Sequence, residues 1–219
     1  MYTTAHRAWD RAWRDASSRA AWSEPDAAVV EVAAALSERG ARRALDVGSG
    51  VGRHSILLAR SSFAVAACDA SPVGCRVLRD AARAERLPMS VSRAAFTELP
   101  YAPATFDYVL AWNVLYHGDR EVVRRAFGEC ARVVRRGGCL QLTMLSKRSR
   151  TFGAGREVAP DTFVVDGDTG DKGHPHFYVD PDATEALLAE AGFVLRSLDD
   201  VDQKPPRGAY HLVAVAQRR

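Results

Sequence analysis

Asp46-Val47-Gly48-Ser49-Gly50-Val51-Gly52 puts one carboxylate ahead of three alternate glycines. The apolar run 44–47 reads as a short buried strand, and 55–60 reads as a helix behind the glycines. A strand, a glycine turn and a helix N-terminus let backbone approach a ligand closely and turn N–H groups outward. With Asp46 at the strand end, the spacing argues for a nucleoside whose polar end meets Gly48, Ser49 and Gly50. A second carboxylate, Asp69, closes the next strand-like run, 63–68. It lies about 20 residues on, where an acid can accept both ribose hydroxyls. Ser71 supplies the N-cap of the following helix with Pro72 at its first position, which leaves Asp69 free for the sugar.

A dinucleotide fingerprint needs G-x-G-x-x-G. Gly48 and Gly50 fit it, but the third place is Arg53. The pattern present, D-x-G-x-G-x-G, resembles the first motif of the class I S-adenosylmethionine-dependent methyltransferases. Three further pieces agree with that family in order and spacing: Asp69, the strand opening at Phe106-Asp107, and Gly137-Gly138 after a helix. Tyr116-His117-Gly118 together with the stretch 155–163 is similar to a small-molecule subgroup, the tellurite-resistance and ubiquinone-type methyltransferases. No N-P-P-Y-type tetrapeptide follows the fourth strand, which disfavours a flipped-out base as substrate.

The resemblance implies S-adenosylmethionine as cofactor and methyl transfer to O, N or S of a small molecule. It places Asp46, Gly48, Ser49, Gly50, Trp112 and Asn113 around the methionine part, and Asp69 and Ala70 at the ribose. Where family members commonly carry an acid for the adenine amino group, this chain has Ala95. The base is then held by backbone and by Phe96 packing on its face. The protein must position the nucleophile and remove its proton where it is an acid. His117 leaves the fourth strand beside the expected methyl position, and imidazole suits neutral pH. The alternative for His117 is a backbone hydrogen bond that holds its loop. His176 and Tyr178 are the next catalytic candidates, with Tyr116, Arg156, His174, Trp9 and Trp13 as substrate contacts. His117, His174, His176 and Glu157 could form a metal site only if their loops meet, and the sequence alone does not bring them together; no metal is assigned. A reaction that leaves the methyl group in place (cyclisation or elimination) and a non-catalytic cofactor-binding subunit stay open beside methyl transfer.

These residues need a doubly wound α/β sheet to position them. Alternating strand-like and helical runs give a Rossmann-like, seven-stranded, mostly parallel sheet with its last strand antiparallel. Helices are expected at 25–39, 73–85, 120–136 and from Pro181, capped by Asp180 and stopped by Gly192. Strands are expected at 89–94, 106–113, 139–145, 193–198 and 210–217. The segment 146–180 shows no clear periodicity and reads as a substrate loop inserted in a domain spanning 25–219. Residues 1–24 carry Trp9, Trp13 and Trp22 and read as a helical flap, or as a helix packed by its tryptophan face.

Composition sets limits on the partners. A net charge of +3 and 47% apolar residues suit a soluble globular chain. The arginines are interleaved with acids rather than gathered in a stripe, which argues against a nucleic-acid groove. No apolar run approaches the roughly 18 residues of a membrane span. Four cysteines without C-x-x-C spacing and a start without a signal-peptide pattern point to a cytoplasmic protein with reduced thiols. The oligomeric state is not legible.

Overall fold

A computed structural model describes residues 4–219. Its strands are β1 (Arg43–Val47), β2 (Ala64–Asp69), β3 (Met89–Arg93), β4 (Phe106–Ala111), β5 (Val134–Ser146), β6 (Arg156–Ala159), β7 (Thr162–Val164), β8 (His176–Val179), β9 (Phe193–Asp202) and β10 (Tyr210–Arg218). Parallel pairing gives the order β3-β2-β1-β4-β5, and β10 then pairs antiparallel with both β5 and β9. Those seven strands are the expected sheet. The chain runs outward from β1 to β2 and β3 and returns to β4 on the other side. The crevice between the ends of β1 and β4 is therefore the switch point where such sheets bind ligands.

Successive residues of β4 explain why these strands are apolar throughout. Val109 and Ala111 join one core with Val123 and Phe127 of α6 (Arg120–Val133) and Leu187 of α7 (Pro181–Glu190). Tyr108 and Leu110 join the other, with Val29 and Ala33 of α3 (Ala27–Glu38) and Leu58 of α4 (Arg53–Arg60). A sheet covered on both faces has no polar side, so apolar runs replace alternation. The helix caps follow the sequence. Ser71 accepts from the Gly74 N–H at the start of α5 (Pro72–Ala84), and Asp180 accepts from Ala183 N–H. The first long helix opens two residues later than expected, at Ala27, with Asp26 as its N-cap and its carboxylate accepting from Ala28 N–H.

Two expectations are corrected. The 120–136 helix stops at Val133 and β5 begins at once, so Gly137-Gly138 lies inside a strand. The register against β4 jumps there, from Phe106↔Val134 to Tyr108↔Cys139. The glycines accommodate this bulge, with Gly137 at φ +73°. The segment 146–180 is not structureless either: β6, β7 and β8 form an antiparallel meander. Strands of three or four residues are too short for alternation to register as a pattern.

The meander decides what faces the crevice. Leu142 of β5 pairs with Ala111 on one edge and Ala214 on the other, while Leu145 pairs with His211 and Tyr178. β8 thus takes over the edge of β5 that β4 vacates after Ala111. His176, the first residue of β8, lands beside the chain leaving β4, where it forms a lone antiparallel bridge with His117.

The glycine turn is closely fitted. Gly48 has φ +70°, and a Cβ there would lie 2.3 Å from Val114 Cγ2 and 2.7 Å from Val114 Cβ. Gly48→Ala should combine left-handed strain of about 1–2 kcal/mol with displacement of the post-β4 loop. Thermal denaturation should show a midpoint lower by about 2–8 °C, at about 2–4 °C per kcal/mol for a chain of this size.

Candidate active site

Asp46 ends its strand in the crevice and accepts the Ser55 hydroxyl at 2.6 Å. Burial pushes its pKa up to about 6, against the opposing pull of Ser55 and Arg53. Asp69 accepts two backbone donors, Gly50 N–H at 2.8 Å and Ser71 N–H at 2.7 Å, one on each oxygen. Burial raises its pKa, and the two N–H groups oppose that rise. Each oxygen retains a second lone pair. One carboxylate therefore both fastens the glycine turn to β2 and keeps acceptors for two hydroxyls.

The crevice, about 890 Å³ including its open mouth, is bounded by the glycine turn, Asp69, Phe96, Trp112, Asn113 and His117, with an aromatic roof. The roof is built by α1 (His6–Ala12) and α2 (Ala16–Ala20). Trp9 stacks on Trp13 at 5.1 Å, and Trp22 meets both edge-on. Trp13 packs over Gly50, where a Cβ would come within 3.0 Å of the indole. Asp10 anchors α1 by accepting the Ser71 hydroxyl at 2.7 Å and Val73 N–H at 3.0 Å. Burial of Asp10 works against its ionisation, but these donors and Arg14 hold its pKa below the usual value. Arg53 and Lys204 place cations 5.0 and 5.4 Å from the Trp22 ring.

Several polar atoms along this crevice are buried without a hydrogen-bond partner: Trp13 Nε1, Ser49 Oγ, Trp112 Nε1 and His117 Nδ1. Each such group costs about 1–3 kcal/mol when left unmade. Their concentration around one cleft fits a polar ligand. Asn113 holds φ +56°, a strained value for a non-glycine. Thr143 Oγ accepts the Asn113 N–H at 2.7 Å and donates to its Oδ1 at 2.9 Å, while Asn113 Nδ2 donates to Gln203 at 3.1 Å.

Around His117 lies a cluster of rings. His117 and His176 meet edge-to-face at 4.7 Å, and Tyr116 lies within 6 Å of His117, His176 and His211. Burial, reinforced by His176, drives the pKa of His117 well below the usual histidine value, so the neutral ring is favoured. Burial holds His211 down to about 4.

Of the residues read from the sequence, Asp46, Gly48, Ser49, Gly50, Asp69, Ala70, Ala95, Phe96, Trp112, Asn113, His117, Trp9 and Trp13 all border the crevice. Tyr116 and His176 sit behind His117 in the ring cluster. Three others are directed elsewhere. Tyr178 donates its hydroxyl to Thr151 at 2.9 Å among Phe152 and Phe163. Arg156 pairs with Asp166 in the solvent-facing meander. His174 Nδ1 lies 2.7 Å from Thr4 Oγ and ties the meander to the N-terminal roof. His54 was not singled out from the sequence. It borders the crevice, accepts Asp26 N–H on Nε2 at 3.2 Å, and is held down to about 3 by burial and by Arg53. Its place directly after the glycine turn was the available signal. Asp171, which faces His176, carried no signal because nothing periodic surrounds it.

The fold is that of the class I methyltransferases. Residues 44–138 match the family described as a methyltransferase domain. The chain is 36% identical over 174 residues to methyltransferase GfsG of Streptomyces halstedii; the match takes in 76% of this chain but spans 58% of that protein's length. Among solved structures, 1,6-didemethyltoxoflavin-N1-methyltransferase of Burkholderia thailandensis, determined with 1,6-didemethyltoxoflavin and S-adenosylhomocysteine, superposes with a TM-score of 0.72 at 19% identity, covering 97% of this chain and 86% of that one. The [4+2]-cyclase SpnF superposes with a TM-score of 0.63 at 22% identity, covering 86% of this chain and 81% of that one. Among the described residues, no helix is long and apolar enough to cross a membrane.

Proposed function

We propose that the protein transfers a methyl group from S-adenosylmethionine to a small-molecule acceptor, within the small-molecule subgroup that the sequence resembles. The observation that carries this reading is the cleft itself: Asp69 fixed to Gly50 N–H with acceptors to spare, orphaned polar atoms along the walls, and His117 at the end. Asp69 would hold the ribose, Ala95 and Phe96 the base, and Asp46, Ser49 and Trp112 the amino-acid end. Bound there, S-adenosylmethionine supplies an electrophilic methyl group on a sulfonium. His117 orients the acceptor and receives its proton. Residues 4–24, anchored through Asp10, act as the flap that excludes water.

The deciding experiment incubates pure protein with S-adenosylmethionine and a panel of phenols, carboxylic acids, amines and thiols. Mass spectrometry should find S-adenosylhomocysteine and a product heavier by one methylene unit. Calorimetry that detects no binding of either nucleoside would overturn the reading. A second reading is favoured by the likeness to a cyclase: the nucleoside binds and its methyl stays in place. That reading requires a converted substrate with no S-adenosylhomocysteine formed.

The pKa of Asp46 gives a pH prediction. In the free protein this group favours folding fully below its unfolded value near 4, and that contribution is lost as pH rises through about 6. Binding a nucleoside ammonium demands the ionised form, so its dependence has the opposite sign. S-adenosylhomocysteine affinity should fall up to about tenfold per pH unit below 6. Calorimetry between pH 5 and 8, roughly the window that brackets this pKa, checks it. Asp46→Asn should flatten the dependence.

A further inference from the structure

His176 is 1% exposed and His117 4%, and each has a ring nitrogen buried without a hydrogen-bond partner, Nε2 and Nδ1 respectively. His176 Nδ1 lies 2.7 Å from the carbonyl oxygen of His174, so it carries a proton and donates. In the neutral ring, Nε2 is then a bare lone pair. It faces Asp171 Oδ2 at 3.4 Å, one acceptor opposite another. One ring nitrogen of each histidine and one carboxylate oxygen of Asp171 all lie within 4.8 Å of one another.

We infer that His117, Asp171 and His176 form a binding site for a divalent first-row transition ion at the acceptor end of the crevice. Two imidazoles and one carboxylate are a donor set for Zn²⁺ or its neighbours, and three protein ligands leave positions open for an oxygen acceptor. Ligands on a tetrahedral ion of this kind sit about 3.4 Å apart, so the set needs to contract by up to about 1.4 Å. His176 Nε2 and Asp171 Oδ2 already stand at that spacing, so the contraction falls on the distances to His117. The His174 carbonyl fixes the His176 imidazole, as outer partners do in metal sites, and the backbone bridge holds residues 117 and 176 side by side. The proposal takes from the functional reading only that the acceptor approaches at His117. With the ion bound, its charge would lower the acceptor's pKa and the proton would leave to solvent, because a coordinated His117 has no lone pair to take it.

The test uses the full chain, stripped with a chelator and titrated with Co²⁺ and, separately, Zn²⁺. One equivalent of Co²⁺ should produce visible d–d absorption with imidazole ligation. Zn²⁺ should bind with a dissociation constant near or below about 1 μM by calorimetry. His176→Gln and Asp171→Asn should each weaken Zn²⁺ by roughly 100-fold, about 2.7 kcal/mol. Both variants should bind S-adenosylhomocysteine as the parent does, which shows that they fold. If Co²⁺ stays colourless, or His176→Gln binds Zn²⁺ like the parent, the proposal is overturned and a protonated His176 pairs directly with Asp171. Failure of nucleoside binding, measured separately, would sink the functional reading and leave the metal result standing.

Discussion

His117→Ala should lower kcat by about 10²–10⁴-fold, the usual contribution of a positioned proton acceptor, with S-adenosylhomocysteine affinity almost unchanged. The separation follows from where the residue sits. His117 reaches the crevice from the loop after β4, behind Asn113 and Val114, whereas Asp69 closes β2 and is held to Gly50 N–H. Removing the imidazole leaves the Asp69–Gly50 contact intact and strips the acceptor of its contact. The ring is also one wall of the Tyr116–His176 cluster, so His117→Gln, which restores volume and a polar end, should fold and remain slow. Single-turnover rates against calorimetric affinities provide the measurement. A variant that turns over like the parent would show that His117 only braces its loop.

Asp69→Asn should weaken S-adenosylmethionine and S-adenosylhomocysteine by roughly 10²–10³-fold. Hydrogen bonds to a charged group contribute about 1.5–3 kcal/mol each, and two ribose hydroxyls are at stake, at 1.4 kcal/mol per tenfold. The amide adds a second penalty. One of the two backbone donors, Gly50 N–H or Ser71 N–H, would face an NH₂ group, so the turn loosens. Calorimetry reads the affinity, and a melting curve without ligand reads the loosened turn. Unchanged affinity with a lowered melting point would reduce Asp69 to a brace for the loop.

The glycine-turn and Asp69 side of the crevice was legible in the sequence because its signals are local. Three glycines at φ +53° to +96° need residues without a Cβ. The acid at the end of β2 and the Ser71-Pro72 start of α5 each declare themselves within a few positions. The side around His117 was legible only as residue types. His117 and His176 are 59 positions apart and meet because β8 occupies the edge of β5 that β4 leaves free, a fact written in pairing registers. The same folding turned Tyr178 to Thr151, Arg156 to solvent and His174 to Thr4, although all three stood in the same stretch of chain.

By itself, then, the sequence determined the strand–glycine–helix unit, the alternation of strands and helices, and Asp69 at its strand end. Backbone conformation and capping depend on neighbours in the chain, so such features can be read without the fold. Tertiary structure alone decided which histidines meet, that Asp171 joins them, and that Trp13 rests on Gly50. Those contacts join strands too short to show a period and helices whose packing partner lies elsewhere. Side-chain burial and long-range pairing have no signature in the spacing of residues along the chain.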